Sequence, residues 1–154
     1  MIVELSNTAE SWDKVFRFMS ENDRLLPDPL SGHVRLDDHC TKLLTLGRVF
    51  VSCEDDAQDV ISGICMGYIN DLVSRVAHLQ VLIVNDRFQG RGLGEKLVRR
   101  FIEEAEKAEM KTVELTCDKP NERAAALYRK IGFRPSEVIH PNEAKRFLVY
   151  DIYD

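Results

Sequence analysis

Apolar positions recur along this chain with two spacings, about 3.6 and 2 residues, and the switches between them mark out its elements. Ile2 to Leu5 predicts a short strand, and Trp12, Val15, Phe16 and Met19 share one face of a helix over Ser11 to Glu21. Pro27, Pro29 and Gly32 break regular structure between Asn22 and Leu36, after which Asp37 or Asp38 is suited to cap a second helix carrying Cys40, Leu43 and Leu44. Two β-rich runs, Arg48 to Glu54 and Val60 to Asn70, flank the acidic turn Asp55 to Asp59 and predict an antiparallel hairpin. Arg75 to Val84, dense in Val, Leu and Ile, predicts a strand in the middle of the sheet.

The second half is more regular. Leu93, Leu97, Phe101 and Ala105 recur at four-residue intervals, with Val98, Ile102 and Ala108 widening the apolar stripe of a long helix. Thr112 to Cys117 predicts a strand. Asn121 is placed to cap a helix whose inner face is Ala124, Leu127, Tyr128 and Ile131, and Gly132 to end it. Phe133 to His140 and Arg146 to Tyr153 then close the sheet. The class is α+β, and its centre is a strand, glycine-rich loop, helix, strand, helix unit. Without repeats or a Pro-, Gly- or Ser-rich linker, residues 1–154 read as one domain.

Composition narrows the function. A formal charge of −5 argues against nucleic acid as a partner, because phosphate backbones are held by clustered Lys and Arg. No apolar run is long enough for a bilayer and no leader precedes the first strand, so the expectation is a cytoplasmic protein without a membrane partner. Cys40, Cys53, Cys65 and Cys117 form no C-x-x-C pair, and His33, His39, His78 and His140 lack ligand spacing, so no metal is expected.

Chemistry concentrates in Gln89-Gly90-Arg91-Gly92-Leu93-Gly94, between a buried strand and a helix start. Three alternating glycines let the backbone approach a bulky anion, and free N–H groups with the positive end of the helix dipole suit a pyrophosphate. A bare strand-to-helix turn uses the same glycines. The spacing fits neither G-x-x-x-x-G-K-[ST] nor the dinucleotide fingerprint.

These six residues resemble the Q/R-x-x-G-x-G/A signature of the GNAT acetyltransferases, and Asn121 to Phe133, N-E-R-A-A-A-L-Y-R-K-I-G-F, resembles that family's later N-x-x-A-x-x-x-Y-x-x-x-G-F motif. The resemblance covers about Arg75 to Arg134, and near the first motif it is similar to the glucosamine-phosphate acetyltransferase branch. It implies a mixed, mostly antiparallel sheet of six to seven strands with about four helices, acetyl-CoA as cosubstrate, and a primary amine as acceptor. It further implies that Gln89, Gly90, Arg91, Gly92, Leu93 and Gly94 hold the pyrophosphate. Leu82, Ile83 and Val84 would flank the pantetheine arm in a splay between Val76–Val84 and Thr112–Cys117. Asn121 would touch the coenzyme as well as cap its helix, and Tyr128 would protonate the departing thiolate.

The base departs from the family pattern. Several members place a Glu on the strand before the loop, where this chain has Val76 and Gln80. Strand alternation puts His78 on the face of Leu82 and Val84, and an imidazole with an ordinary pKa near 6.5 is a competent base. Glu114 is a second candidate, and an amine arriving neutral needs no strong base. Arg24, His33, Arg35 and Lys42 would suit an anionic acceptor such as a sugar phosphate. A small amine such as an amino sugar or sugar nucleotide, a peptide amine, and a CoA-binding sensor without turnover all stay open. The β-rich C-terminus is compatible with a homodimer.

Overall fold

The computed structural model describes residues 1–26, 28–32 and 34–153. Its elements run β1 (Ile2–Leu5), α1 (Ala9–Asn22), α2 (Leu36–Leu46), β2 (Arg48–Cys53), β3 (Ile61–Tyr68), β4 (Val76–Val84), α3 (Leu93–Lys107), β5 (Thr112–Asp118), α4 (Glu122–Ile131), β6 (Arg134–Pro135) and β7 (Lys145–Asp151). The seven strands form one sheet in the order β1-β2-β3-β4-β5-β7-β6, with β4 at its centre as the apolar density of that segment predicts. Every neighbouring pair is antiparallel except β4 and β5, which the α3 crossover makes parallel. This is the expected α+β class.

The two faces of the sheet bury separate cores. Helices α3 and α4 cover one with Leu97, Val98, Phe101, Tyr128 and Ile131 against Phe50, Cys65, Ala77, Val113 and Leu115. Helices α1 and α2 cover the other with Val15, Met19, Leu43 and Leu44 against Val49, Val51, Ile64, Met66, Val81 and Ile83. Because α1 and α2 pack over β2 to β4, the second face of β5 and β7 keeps Glu114, Thr116, Asp118, Phe147 and Val149 only partly covered or exposed. Among the described residues no helix is long and apolar enough to cross a membrane.

Helix ends differ from the sequence reading where side chains compete. Helix α1 begins two residues early because Thr8 Oγ1 accepts from Ser11 N at 3.1 Å. Arg35 caps α2 without a side-chain capping bond; Asp37 and Asp38 lie in the first turn, where their charge complements the helix dipole. The Arg35 guanidinium holds the exposed Asp37 carboxyl below its ordinary range. Asn121 caps α4 as expected, accepting from Ala124 N at 3.2 Å, and Gly132 ends that helix with φ +124°.

The strand expected over Phe133 to His140 shrinks to Arg134–Pro135. Pro135 has no N–H, and after Ser136 N donates to Phe147 O the chain turns to its own side chains. Val138 N bonds Ser136 Oγ, and Asn142 N bonds His140 Nδ1. These local bonds replace the ladder.

Candidate active site at a strand fork

The parallel ladder between β4 and β5 has three rungs, Val76↔Thr112, Ala77↔Val113 and His78↔Glu114. Beyond them the strands part, and among the described residues no strand pairs with Leu82 to Val84 on that side. The carbonyl of Val84 takes a bond from Gln89 Nε2 at 3.2 Å instead.

The loop after β4 is shaped by local bonds. Asn85 N donates to Ser62 O, Asn85 Oδ1 accepts from Arg87 N, and Gly90 and Gly92 sit at φ +82° and +75°. An L side chain is strained at both positions, yet an added Cβ there would meet nothing within 4 Å, so backbone conformation and not crowding requires glycine. Gly92 caps α3 with no side chain covering its first turn. Among the described residues the amides of Leu93, Gly94 and Glu95 have no acceptor in the chain.

These amides border a pocket of about 400 Å³. Leu82, Ile83, Val84, Gln89, Gly90, Gly92, Leu93, Gly94 and Asn121 line it, so those sequence-predicted residues meet at one place. Arg91 does not join them: its guanidinium turns to Glu54 at 2.9 Å and over the Phe88 ring at 5.2 Å. Arg123 and Lys130 of α4 also border the pocket, a role that only their helical spacing from Asn121 and Leu127 could have signalled. Arg123 Nη1 donates to Gln89 Oε1 at 3.0 Å, while Lys130 and Arg99 hold the partly buried Glu95 carboxyl below its ordinary range. The carboxylate at the mouth of α3 is thereby neutralised, and the local field stays favourable to an anion. Leu25 and Leu26 reach the pocket from the α1–α2 connection, and nothing in the sequence marks them for it.

Tyr128 is not among the residues that line this pocket; it is 8% exposed, with its ring edge-on to Phe133 at 5.5 Å. It packs in the same core as Cys65 of β3 and Cys117 of β5. Among the described residues its hydroxyl makes no hydrogen bond. Burial, and then the two neighbouring thiols, push the phenol well above its usual range, so it keeps its proton.

His78 is not on the face that simple alternation gives it. Met66 pairs with Val81 and Gly67 with Leu79, so Gln80 is an extra, unpaired residue, a β-bulge. The bulge resets the alternation: Ala77 and Leu79 join the core under α3 and α4, and so do Leu82 and Val84, whereas Val81 and Ile83 face α1 and α2. His78, between Ala77 and Leu79, therefore projects to the α1 and α2 side, opposite Tyr68 and 3.9 Å from Glu114. Tyr128 and His78 approach the fork from opposite faces of the sheet.

The cations proposed for an anionic acceptor are mostly engaged. Arg24 meets Asp86 at 3.4 Å, Arg35 meets Asp37 at 2.9 Å, and Lys42 Nζ stands 5.8 Å over the Tyr68 ring. His33 lies outside the described residues. Among those residues no group of three or more His, Cys, Asp or Glu could hold a metal ion.

All four cysteines are free and buried, and burial raises the Cys40 thiol to about 11. A thiolate reagent should label none of them in the folded protein and four after denaturation in guanidinium. Rapid labelling of any native cysteine would mean that one of these positions opens easily.

A family model described as the acetyltransferase (GNAT) family matches residues 11–133. An uncharacterised N-acetyltransferase of Methanocaldococcus jannaschii is 33% identical over 92 residues, which are 58% of this chain and 41% of that protein's length. The fold is similar to that of an aminoglycoside 6′-acetyltransferase type Ii, with TM-score 0.77, 16% identity and 100% and 98% of the two chains covered. A Bacillus subtilis acetyltransferase in complex with CoA is similar at TM-score 0.72 and 18% identity, covering 99% and 98%.

Proposed function

Because the chain belongs to the GNAT family of acetyltransferases, we propose that it transfers an acetyl group from acetyl-CoA to a primary amine of a small molecule, an amino sugar among the candidates. The observation that carries this reading is the pocket itself: first-turn amides of α3 and an edge of β4 that have no partner among the described residues, and two open left-handed glycines, all border one space. The amides of Leu93 to Glu95 bind the pyrophosphate, with Arg123 and Gln89 at its rim. The backbone of Leu82 to Val84 pairs with the pantetheine arm as a neighbouring strand would. Acetyl-CoA supplies the activated acyl thioester. His78 takes a proton from the amine on one face of the sheet, and Tyr128 gives its phenolic proton to the sulfur on the other. Both act where β4 and β5 part. A small cytoplasmic enzyme with reduced thiols suits this chemistry.

Release of free CoA thiol from acetyl-CoA, measured against amino sugars, sugar nucleotides, polyamines and short peptides, tests the reading together with calorimetric titration of CoA. Turnover with a small amine supports it. Preference for a peptide amine would move the acceptor class, CoA binding without any turnover would favour a sensor, and no CoA binding would sink the assignment of the pocket. Gly92→Ala places an L side chain at φ +75°, a cost of about 1–2 kcal/mol, and should weaken CoA binding roughly tenfold. Unchanged affinity would remove the loop from the ligand site.

A further inference from the structure

His78 and Glu114 form the last rung of the β4–β5 ladder, and the strands part immediately beyond them. Ala77 and Val113, one residue earlier on each strand, lie in the core under α3 and α4, so His78 and Glu114 both project from the opposite face. Their side chains are 40% and 30% exposed, with His78 Nδ1 3.9 Å from Glu114 Oε1. Among the described residues Glu114 is the only carboxylate partner of His78 within 4.0 Å. One rotamer adjustment, or one bridging water, closes a hydrogen bond over that distance. A neutral imidazole that donates through Nδ1 carries its lone pair on Nε2.

The other polar groups around His78 do not duplicate this role. Tyr68 of β3 is its cross-strand neighbour, and Lys42 of α2 stands over the Tyr68 ring. Asp71, in the turn before β4, is committed to Ser74, whose hydroxyl and amide both donate to it, and to Val73 N. Of the two carboxylates that β5 turns to the open half of the sheet, Asp118 lies 4.0 Å from Lys145 and Glu114 lies 3.9 Å from His78.

Resting on the transferase reading above, we propose that Glu114 is the positioning residue of the acceptor side: its carboxylate orients the His78 imidazole and draws the acceptor's ammonium to the mouth of the fork. The proton balance follows from that arrangement. The ammonium gives one proton to His78 Nε2, which passes it to solvent. The freed lone pair forms the C–N bond as the C–S bond breaks, Tyr128 protonates the sulfur, and the second proton shed by the nitrogen restores the phenol.

The test compares the wild type with E114Q, E114D, H78Q and H78Q/E114Q, using spermidine, glucosamine, glucosamine 6-phosphate and an alanine-initiated tripeptide as acceptors. With whichever amine turns over, E114Q should raise the acceptor KM about five- to tenfold and leave the acetyl-CoA KM within about twofold. E114D should recover part of the loss. At saturating acceptor the double variant should be no slower than H78Q alone to within about twofold, and it is this saturated rate in which two residues that act as a unit are not additive. Additive losses, or an unchanged acceptor KM in E114Q, would overturn the proposal while leaving the transferase reading intact. If none of the four amines reacts, long-range ¹H–¹⁵N spectra of histidine-labelled, CoA-loaded protein decide it. A single Nδ1–H tautomer at His78 that becomes a mixture in E114Q supports the pair, and identical spectra refute it. Failure to bind CoA would count against the pocket assignment instead.

Discussion

Tyr128→Phe should lower the rate of acetyl transfer about a hundredfold or more while CoA affinity stays within about twofold, the loss expected when a positioned general acid is removed. The ring of Tyr128 is packed edge-on to Phe133 inside the α3 and α4 core, and Phe keeps that packing. Its hydroxyl makes no hydrogen bond among the described residues, so the substitution breaks none and should change stability by no more than about 1 kcal/mol. An activity loss with unchanged melting temperature is then a loss of chemistry. The proton is held there by burial first and by the Cys65 and Cys117 thiols second, both of which disfavour phenolate. Because the folded-state pKa is raised, the acid stays protonated from neutral pH up through the ordinary phenol range, and turnover should not fall in that interval through ionisation of Tyr128. Steady-state CoA release with the wild type and Tyr128→Phe measures both effects. Equal turnover in the two would end the acid assignment.

Phe101→Ala should destabilise the fold by about 3–5 kcal/mol, read as a lower midpoint in urea. Phe101 is fully buried on α3 and meets the Phe50 ring at 87° with centroids 6.1 Å apart. Its ring also occupies the space that Gly67 leaves: a Cβ at Gly67 would lie 2.8 Å from Phe101 Cζ and collide with the carbonyl oxygen of His78. Gly67 pairs with Leu79, the rung next to the bulge at Gln80. Removing the ring therefore opens a cavity directly under the backbone that aims His78, and acceptor turnover should fall along with stability. A loss below about 1.5 kcal/mol would show that neighbouring side chains collapse into the gap.

Much of the fold can be read from the chain because it is written in local repeats. The four-residue recurrence of Leu93, Leu97, Phe101 and Ala105 gives α3 and its buried face, since helix geometry alone puts those positions together. Asn121 and Gly132 bound α4 because a cap needs only its own backbone neighbours. The segment from Phe133 to His140 was less legible. Its composition suits a strand, but a ladder needs a partner at each rung, and Pro135 with the local bonds of Ser136 and His140 withdraws the chain after two residues.

By itself, the sequence determined the order of the elements, the central place of β4 and the glycine loop at the start of α3. All three rest on periodicity or on backbone conformations that particular residues favour. It also implied that Leu82 to Val84, the loop and Asn121 belong together, and the pocket gathers all of them except Arg91. Only the tertiary structure decided which face His78 occupies, because an unpaired residue such as Gln80 exists only relative to a neighbouring strand. The same holds for Arg91, drawn to Glu54, and for Arg24 and Arg35, neutralised by Asp86 and Asp37. A charge acquires its meaning from what lies opposite it in space, and for Glu114 that neighbour is His78, on a strand more than thirty residues earlier.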